Sequence, residues 1–94
     1  MASAIYITSG TAAATGADFT LQASTSRLFY CKPALGSSES LTLDIKNVDG
    51  TYTQVGALAS ARSQTGTVTA TGAGSSTFRV RRSTVSPAKV VYFD

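Results

Sequence analysis

The feature that most constrains this chain is a hydrophobic period of two. In Leu41-Thr42-Leu43-Asp44-Ile45-Lys46 the apolar residues fall on alternate positions, so Leu41, Leu43 and Ile45 share one face of an extended strand while Thr42, Asp44 and Lys46 share the other. The same alternation recurs in Thr77-Phe78-Arg79-Val80-Arg81 and, more briefly, where Phe19 and Leu21 alternate with Thr20 and Gln22. Almost nothing recurs at the helical period. Ala4-Ile5-Tyr6-Ile7-Thr8, Thr67 to Thr71 and Lys89-Val90-Val91-Tyr92-Phe93 read as further strands. Arg27-Leu28-Phe29-Tyr30-Cys31 is the most continuously apolar run and reads as a strand covered on both faces. Asn47-Val48-Asp49-Gly50 supplies a turn, and the chain returns through Thr51 to Val55 as a hairpin. Tyr52 and Val55 lie three apart, so the return strand has either a bulge near Thr53-Gln54 or an outward-facing Tyr52. Gly56 to Gln64 reads as irregular, and Gly72 to Ser75 as a flexible turn. Seven or eight short strands at a spacing of about ten residues predict an all-β fold, a two-layer antiparallel β-sandwich, with jelly-roll and immunoglobulin-like strand orders both open.

A chain of 94 residues has room for one hydrophobic core. The expected organisation is a single sandwich domain over residues 18–94, preceded by a short strand and a flexible N-terminal arm over residues 1–17, because Ser9 to Ala17 is nearly all Ala, Gly, Ser and Thr. Leu41, Leu43, Ile45, Phe78 and Val80 are the expected core. No apolar run is long enough for a membrane-spanning helix, and the first residues lack the basic-then-apolar pattern of a secretion signal, so the chain reads as intracellular in origin. A lone Cys31 forms no internal disulfide, which leaves packing and association as the sources of stability.

The chemical inventory argues against an enzyme. There is no His and no Trp, one Cys, one Glu and four Asp. A Ser or Cys nucleophile usually needs a neighbouring base, most often His, and zinc sites need several Cys or His ligands. We expect no catalytic residue, no metal and no cofactor; Cys31 reads as a buried, inert thiol and the carboxylates as turn and solvent-face residues. The uneven feature is charge. Residues 1–49 hold three basic and four acidic side chains, whereas residues 50–94 hold five basic and one acidic. Arg79 and Arg81 share a strand face, with Arg82 following, and Arg62 and Lys89 are candidates for the same side. That stripe suggests contact with an acidic protein surface or with phosphates, although nucleic acid is disfavoured because no exposed aromatic residues alternate with the arginines. A glycan-binding adhesion module is a third reading, in which Tyr6, Tyr30, Tyr52 and Tyr92 stack on sugars.

The hairpin from Leu41 to Val55, the ending Phe78-Arg79-Val80-Arg81-Arg82, a Pro-containing loop and then Val90-Val91-Tyr92-Phe93-Asp94 together resemble small all-β virion proteins of tailed bacteriophages, the capsid decoration or cement proteins above all. The resemblance covers roughly residues 40–94. It implies a non-enzymatic structural protein of the virion that binds the outside of the shell formed by the major capsid protein and reinforces it as a homo-oligomer, a trimer in the usual arrangement. It assigns no site residues. From the residues themselves, the partner-binding candidates are Ile5, Tyr6 and Ile7, which suit addition to a neighbouring sheet edge, and Arg79, Arg81 and Arg82.

Overall fold

A computed structural model describes residues 4–59, 65–70 and 74–93. The alternating segments form nine strands: β1 (Ala4–Gly10), β2 (Ala14–Thr15), β3 (Phe19–Gln22), β4 (Ser26–Lys32), β5 (Leu41–Lys46), β6 (Tyr52–Ala59), β7 (Thr65–Thr69), β8 (Ser75–Arg82) and β9 (Lys89–Phe93). Sheet A has the order β1-β9-β4-β7. Sheet B has the order β2-β8-β5-β6, with β3 also paired to β8. All pairings are antiparallel, and they nest: β1 with β9, β2 and β3 with β8, β4 with β7, β5 with β6. Two further ladders, β4 with β9 and β5 with β8, fold that nested hairpin across itself. Nested pairing of this kind is the jelly-roll order, which resolves the choice the sequence leaves open.

The core lies between the sheets. Leu41, Val80, Val91, Val68 and Phe29 are fully buried, Phe78 nearly so, and Leu43 and Ile45 pack partly buried against them. The hairpin forms as expected, closed by Asn47 and Thr51 with Gly50 at a φ of 90°, where a side chain would be strained. Both alternatives for its return strand hold together. Tyr52 faces outward, and Val55 is an extra residue, since Asp44 pairs with Gln54 while Leu43 pairs with Gly56. The strand then continues through Ala59, so the first part of the segment expected to be irregular is regular. Residues 60–64 and 71–73 lie outside the described residues.

Residues 4–15 are built into the sandwich where an arm is expected. β1 is the edge strand of sheet A, with Ile5 opposite Tyr92 and Ile7 opposite Val91, and β2 lies beside Arg81 and Arg82 in sheet B. Tyr6 is the extra residue between those two β1 pairs. That bulge turns both Tyr6 and Ile7 toward the core, and Tyr6 packs edge-on against Phe19, Phe29 and Phe93.

The Tyr6 hydroxyl reaches the opposite sheet. It donates to the Ala17 carbonyl at 2.5 Å and accepts from the Val80 amide at 3.0 Å. Between β2 and β3 the edge strand bulges at Gly16-Ala17-Asp18, and the phenol takes the place of the missing rung beside β8. Gly16 permits this: a Cβ there would run into the Tyr6 ring. Tyr6→Phe should therefore cost about 1–3 kcal/mol, the scale of a buried amide left without a partner, and Gly16→Ala should also destabilise because the ring has to shift. Urea denaturation of the two variants checks this, and a Tyr6→Phe midpoint equal to the parent's would count against the rung.

Candidate functional site

Among the described residues, the sandwich presents two outer sheet faces and four sheet edges. On sheet B, β8 and β5 bring Arg79, Arg81 and Asp44 together because Asp44 pairs in register with Arg79 and Thr42 with Arg81. Asp44 Oδ2 accepts from Arg79 Nε at 2.8 Å and from Arg81 Nε at 2.8 Å, and Oδ1 accepts from Arg81 Nη2 at 3.0 Å. Asp44 is 2% exposed, contrary to its expected place on a solvent face. The two guanidinium groups cover it. Burial pushes its carboxyl up, but the bonds from Arg81 and Arg79 outweigh that and hold it below the ordinary carboxylate value. Arg81 also donates to Gln54 Oε1, while the Arg79 guanidinium lies 3.6 Å from the centre of the Tyr52 ring. Tyr52 then passes over the face to donate to Asp18, which Lys46 also approaches at 3.4 Å. Every charged side chain in this patch has a partner of opposite charge within the chain.

Arg82 does not continue that stripe. It shares strand parity with Phe78 and Val80, so it points inward and is 3% exposed. Its guanidinium donates to the carbonyls of Thr8, Lys89 and Ala12, tying β1, β9 and the loop before β2 to β8. Lys89 is likewise inward and buried, paired with Glu39 in the loop before β5. Glu39 also accepts from the Gly36 and Ser86 amides, at 2.7 and 2.9 Å. Arg62 lies outside the described residues.

The outer face of sheet A has a different character. In register across it stand Ile5 on β1, Tyr92 on β9 and Tyr30 on β4. The Tyr30 and Tyr92 rings stack at 5.2 Å, Ile5 is 57% exposed, and Lys32 lies over Tyr30. Leu28 and Val90, half-buried, extend the strip by parity. No carboxylate among the described residues stands on these strands at the outward positions. Of the six sequence candidates, Ile5 thus lies open on this face, Tyr6, Ile7 and Arg82 are interior, and Arg79 and Arg81 are half-exposed around Asp44. Tyr30 and Tyr92 were visible as aromatics, but only the register through β9 places them side by side.

Cys31 is fully buried and burial raises its thiol above the ordinary value, which leaves it protonated at neutral pH. Among the described residues no three His, Cys, Asp or Glu side chains gather, and no helix is long and apolar enough to cross a membrane. Compared with known proteins, the chain matches no family model, no curated protein and no solved structure.

The Glu39 loop has a pH signature. The Lys89 ammonium and then the Gly36 and Ser86 amides hold the Glu39 carboxyl down at about 2, against an ordinary 4.5. A carboxylate depressed on folding stabilises fully above its unfolded value and loses that contribution as pH falls toward its folded value. Stability should therefore be flat in this respect above about pH 5 and decline between pH 4.5 and 2. Thermal melts across that range should show a shallower decline in Glu39→Gln, alongside a lower stability at neutral pH where Lys89 is left buried without its counter-charge.

Proposed function

We propose that the chain is a non-enzymatic structural protein that binds the outside of a tailed-phage capsid shell and reinforces it, a decoration protein docked through the outer face of sheet A. The observation that carries this reading is the row of Ile5, Tyr92 and Tyr30: an exposed aliphatic side chain beside a stacked tyrosine pair, flanked by Lys32 and with no outward carboxylate among the described residues of its strands. Tyrosine-rich, weakly cationic strips of this kind suit a protein surface that is apolar at its centre and acidic at its rim. The jelly roll supplies a rigid platform for the row, since all three side chains stand on paired strands. The resemblance of roughly residues 40–94 to decoration proteins is what suggests the major capsid protein as the partner and the surface of the virion as the place.

The arginine stripe, which favoured the nucleic-acid reading, loses most of its weight. Arg79 and Arg81 surround Asp44 and Arg82 is buried, so few of these charges are left to neutralise phosphates. For glycan stacking, two of the four tyrosines are engaged within the chain, since Tyr6 is interior and Tyr52 is held by Asp18.

Co-sedimentation of the protein with shells of the virus that encodes it, followed by cryo-electron microscopy, tests the reading. Binding with sheet A toward the shell is expected. Ile5→Lys and Tyr92→Ala should each weaken it by about tenfold or more, the effect of losing a central interface anchor worth about 1–2 kcal/mol. Arg81→Glu is a poor probe because it also exposes Asp44 to a like charge. Absence of binding to any shell, or binding unchanged by both sheet A variants, would overturn the proposal.

A further inference from the structure

Of the four edges of this sandwich, three are interrupted. β1 carries register shifts on both sides of Ile7, β6 carries two against β5, and the β2 and β3 edge is broken at residues 16–18. Such irregularities keep a sheet edge from templating another strand. β7 is different. Its five pairs with β4 run without a shift, from Ser26 opposite Thr69 to Tyr30 opposite Thr65, and Thr65-Gly66-Thr67-Val68-Thr69 contains no charge and no proline.

The direction of its backbone groups follows from the bonds at its end. Both the amide and the carbonyl of Ala70 bond toward the β4 side, to Thr25 and Ser24. By strand alternation the backbone groups of Val68 and Gly66 face β4 as well, and those of Thr65, Thr67 and Thr69 face outward. No strand among the described residues pairs with that side.

We infer that β7 is a self-pairing edge, joining two copies of this chain about a twofold axis at Thr67 into one continuous sheet. The segment is self-complementary when reversed. Centred on Thr67, an antiparallel copy sets Thr67 opposite Thr67, Thr65 opposite Thr69 and Gly66 opposite Val68. The three Thr pairs are those whose backbone groups face outward, so each becomes a hydrogen-bonded pair exchanging both its amide and carbonyl. Gly66 opposite Val68 matches no side chain with a branched one, on the inner side where Leu58 already lies close beneath Gly66. Cross-strand hydroxyl pairs are a contact this fold already uses within the chain, at Ser26 with Thr69 (2.9 Å) and Thr20 with Thr77 (3.0 Å). The joined sheet is β1-β9-β4-β7 continued by its twofold copy, an isologous and closed arrangement. It would carry two copies of the Ile5, Tyr92 and Tyr30 row on the same outer surface. The inference concerns free protein and stands apart from the capsid reading.

Cysteine trapping reads the register directly. Cα atoms in a hydrogen-bonded antiparallel pair are about 5.5 Å apart, within disulfide range. Under mild oxidation Thr67→Cys should cross-link to a covalent dimer, whereas Thr20→Cys, exposed on β3, should not; the native Cys31 is buried and does not compete. Sedimentation equilibrium of the parent should give twice the mass of one chain, and Thr67→Lys, which sets two ammonium groups face to face, should give the mass of one chain with an unchanged far-ultraviolet spectrum. Thr67→Pro, which removes only an outward amide, should do the same and guards against a lysine effect on folding. A parent at one chain mass at millimolar concentration would overturn the proposal. So would a mass of three chains, as the trimer expected from the decoration-protein resemblance requires, or a dimer that survives both variants or cross-links equally through Thr20→Cys.

Discussion

The structure turns on one phenol. Tyr6 leaves sheet A, crosses the core among Phe19, Phe29 and Phe93, and ends as a hydrogen-bonding rung in sheet B between Ala17 and Val80. Burial raises its pKa, so it remains a neutral hydroxyl able to donate and accept at once. Three other features follow from that placement. β1 must bulge so that Tyr6 and Ile7 both face inward, the β2 and β3 edge must open at Gly16, and residue 16 must lack a side chain. A sandwich this small buries a modest share of its surface. Fixing the two sheets by a directional bond as well as by apolar contact gives it one relative arrangement in place of several that apolar packing alone would tolerate.

A second constraint is the polar end of the core. Arg82 and Lys89 occupy inward positions on β8 and β9, where apolar residues are usual, and each is matched by acceptors: three carbonyls for Arg82 and Glu39 for Lys89. Among the described residues, Arg82 Nε finds no hydrogen-bond partner. These bonds hold β1, the loop before β2, the loop before β5 and the loop before β9 against one another, so residues with little apolar area to bury are still ordered. The cost is charge that the surface then lacks. Of the cations concentrated in the second half of the chain, two are interior and two more enclose Asp44. A formal excess of basic residues is therefore a poor guide to the field outside this molecule.

How far this was legible in the sequence depends on whether strand parity or strand partnership was needed. Parity places Leu41, Leu43, Ile45, Phe78 and Val80 in the core, and the turn residues from Asn47 to Gly50 locate the hairpin. Parity applied one residue further also turns Arg82 inward beside Val80; charge argued for the surface, and the three carbonyl acceptors that overrule it come from segments up to 74 residues away in sequence. Asp44 shows the same limit, since its alternation marks it as outward, which is true, but the two arginines that bury it are 35 and 37 residues downstream. The Ala, Gly, Ser and Thr stretch after Ser9 reads as an arm because small residues bury little area. Its order comes from backbone bonding to β8 and Arg82, for which composition has no signature. The pairing of Tyr30 with Tyr92 likewise depends on β9 returning beside β4.

The two faces of the sandwich consequently differ in what they offer a partner. On sheet B the charged groups are paired with one another, and a partner that docks there competes with the bonds among Asp18, Tyr52, Arg79 and Asp44. On sheet A the outward row is aromatic and aliphatic, already ordered by its strands and by ring stacking, with little side-chain freedom left to lose on binding. The Asp44 network and the Tyr6 rung both work from within, holding the sheets and their strands in place. They leave the two outer faces chemically distinct, one a network of ion pairs around Asp44 and the other an aromatic and aliphatic row, and the proposed docking through sheet A rests on that difference.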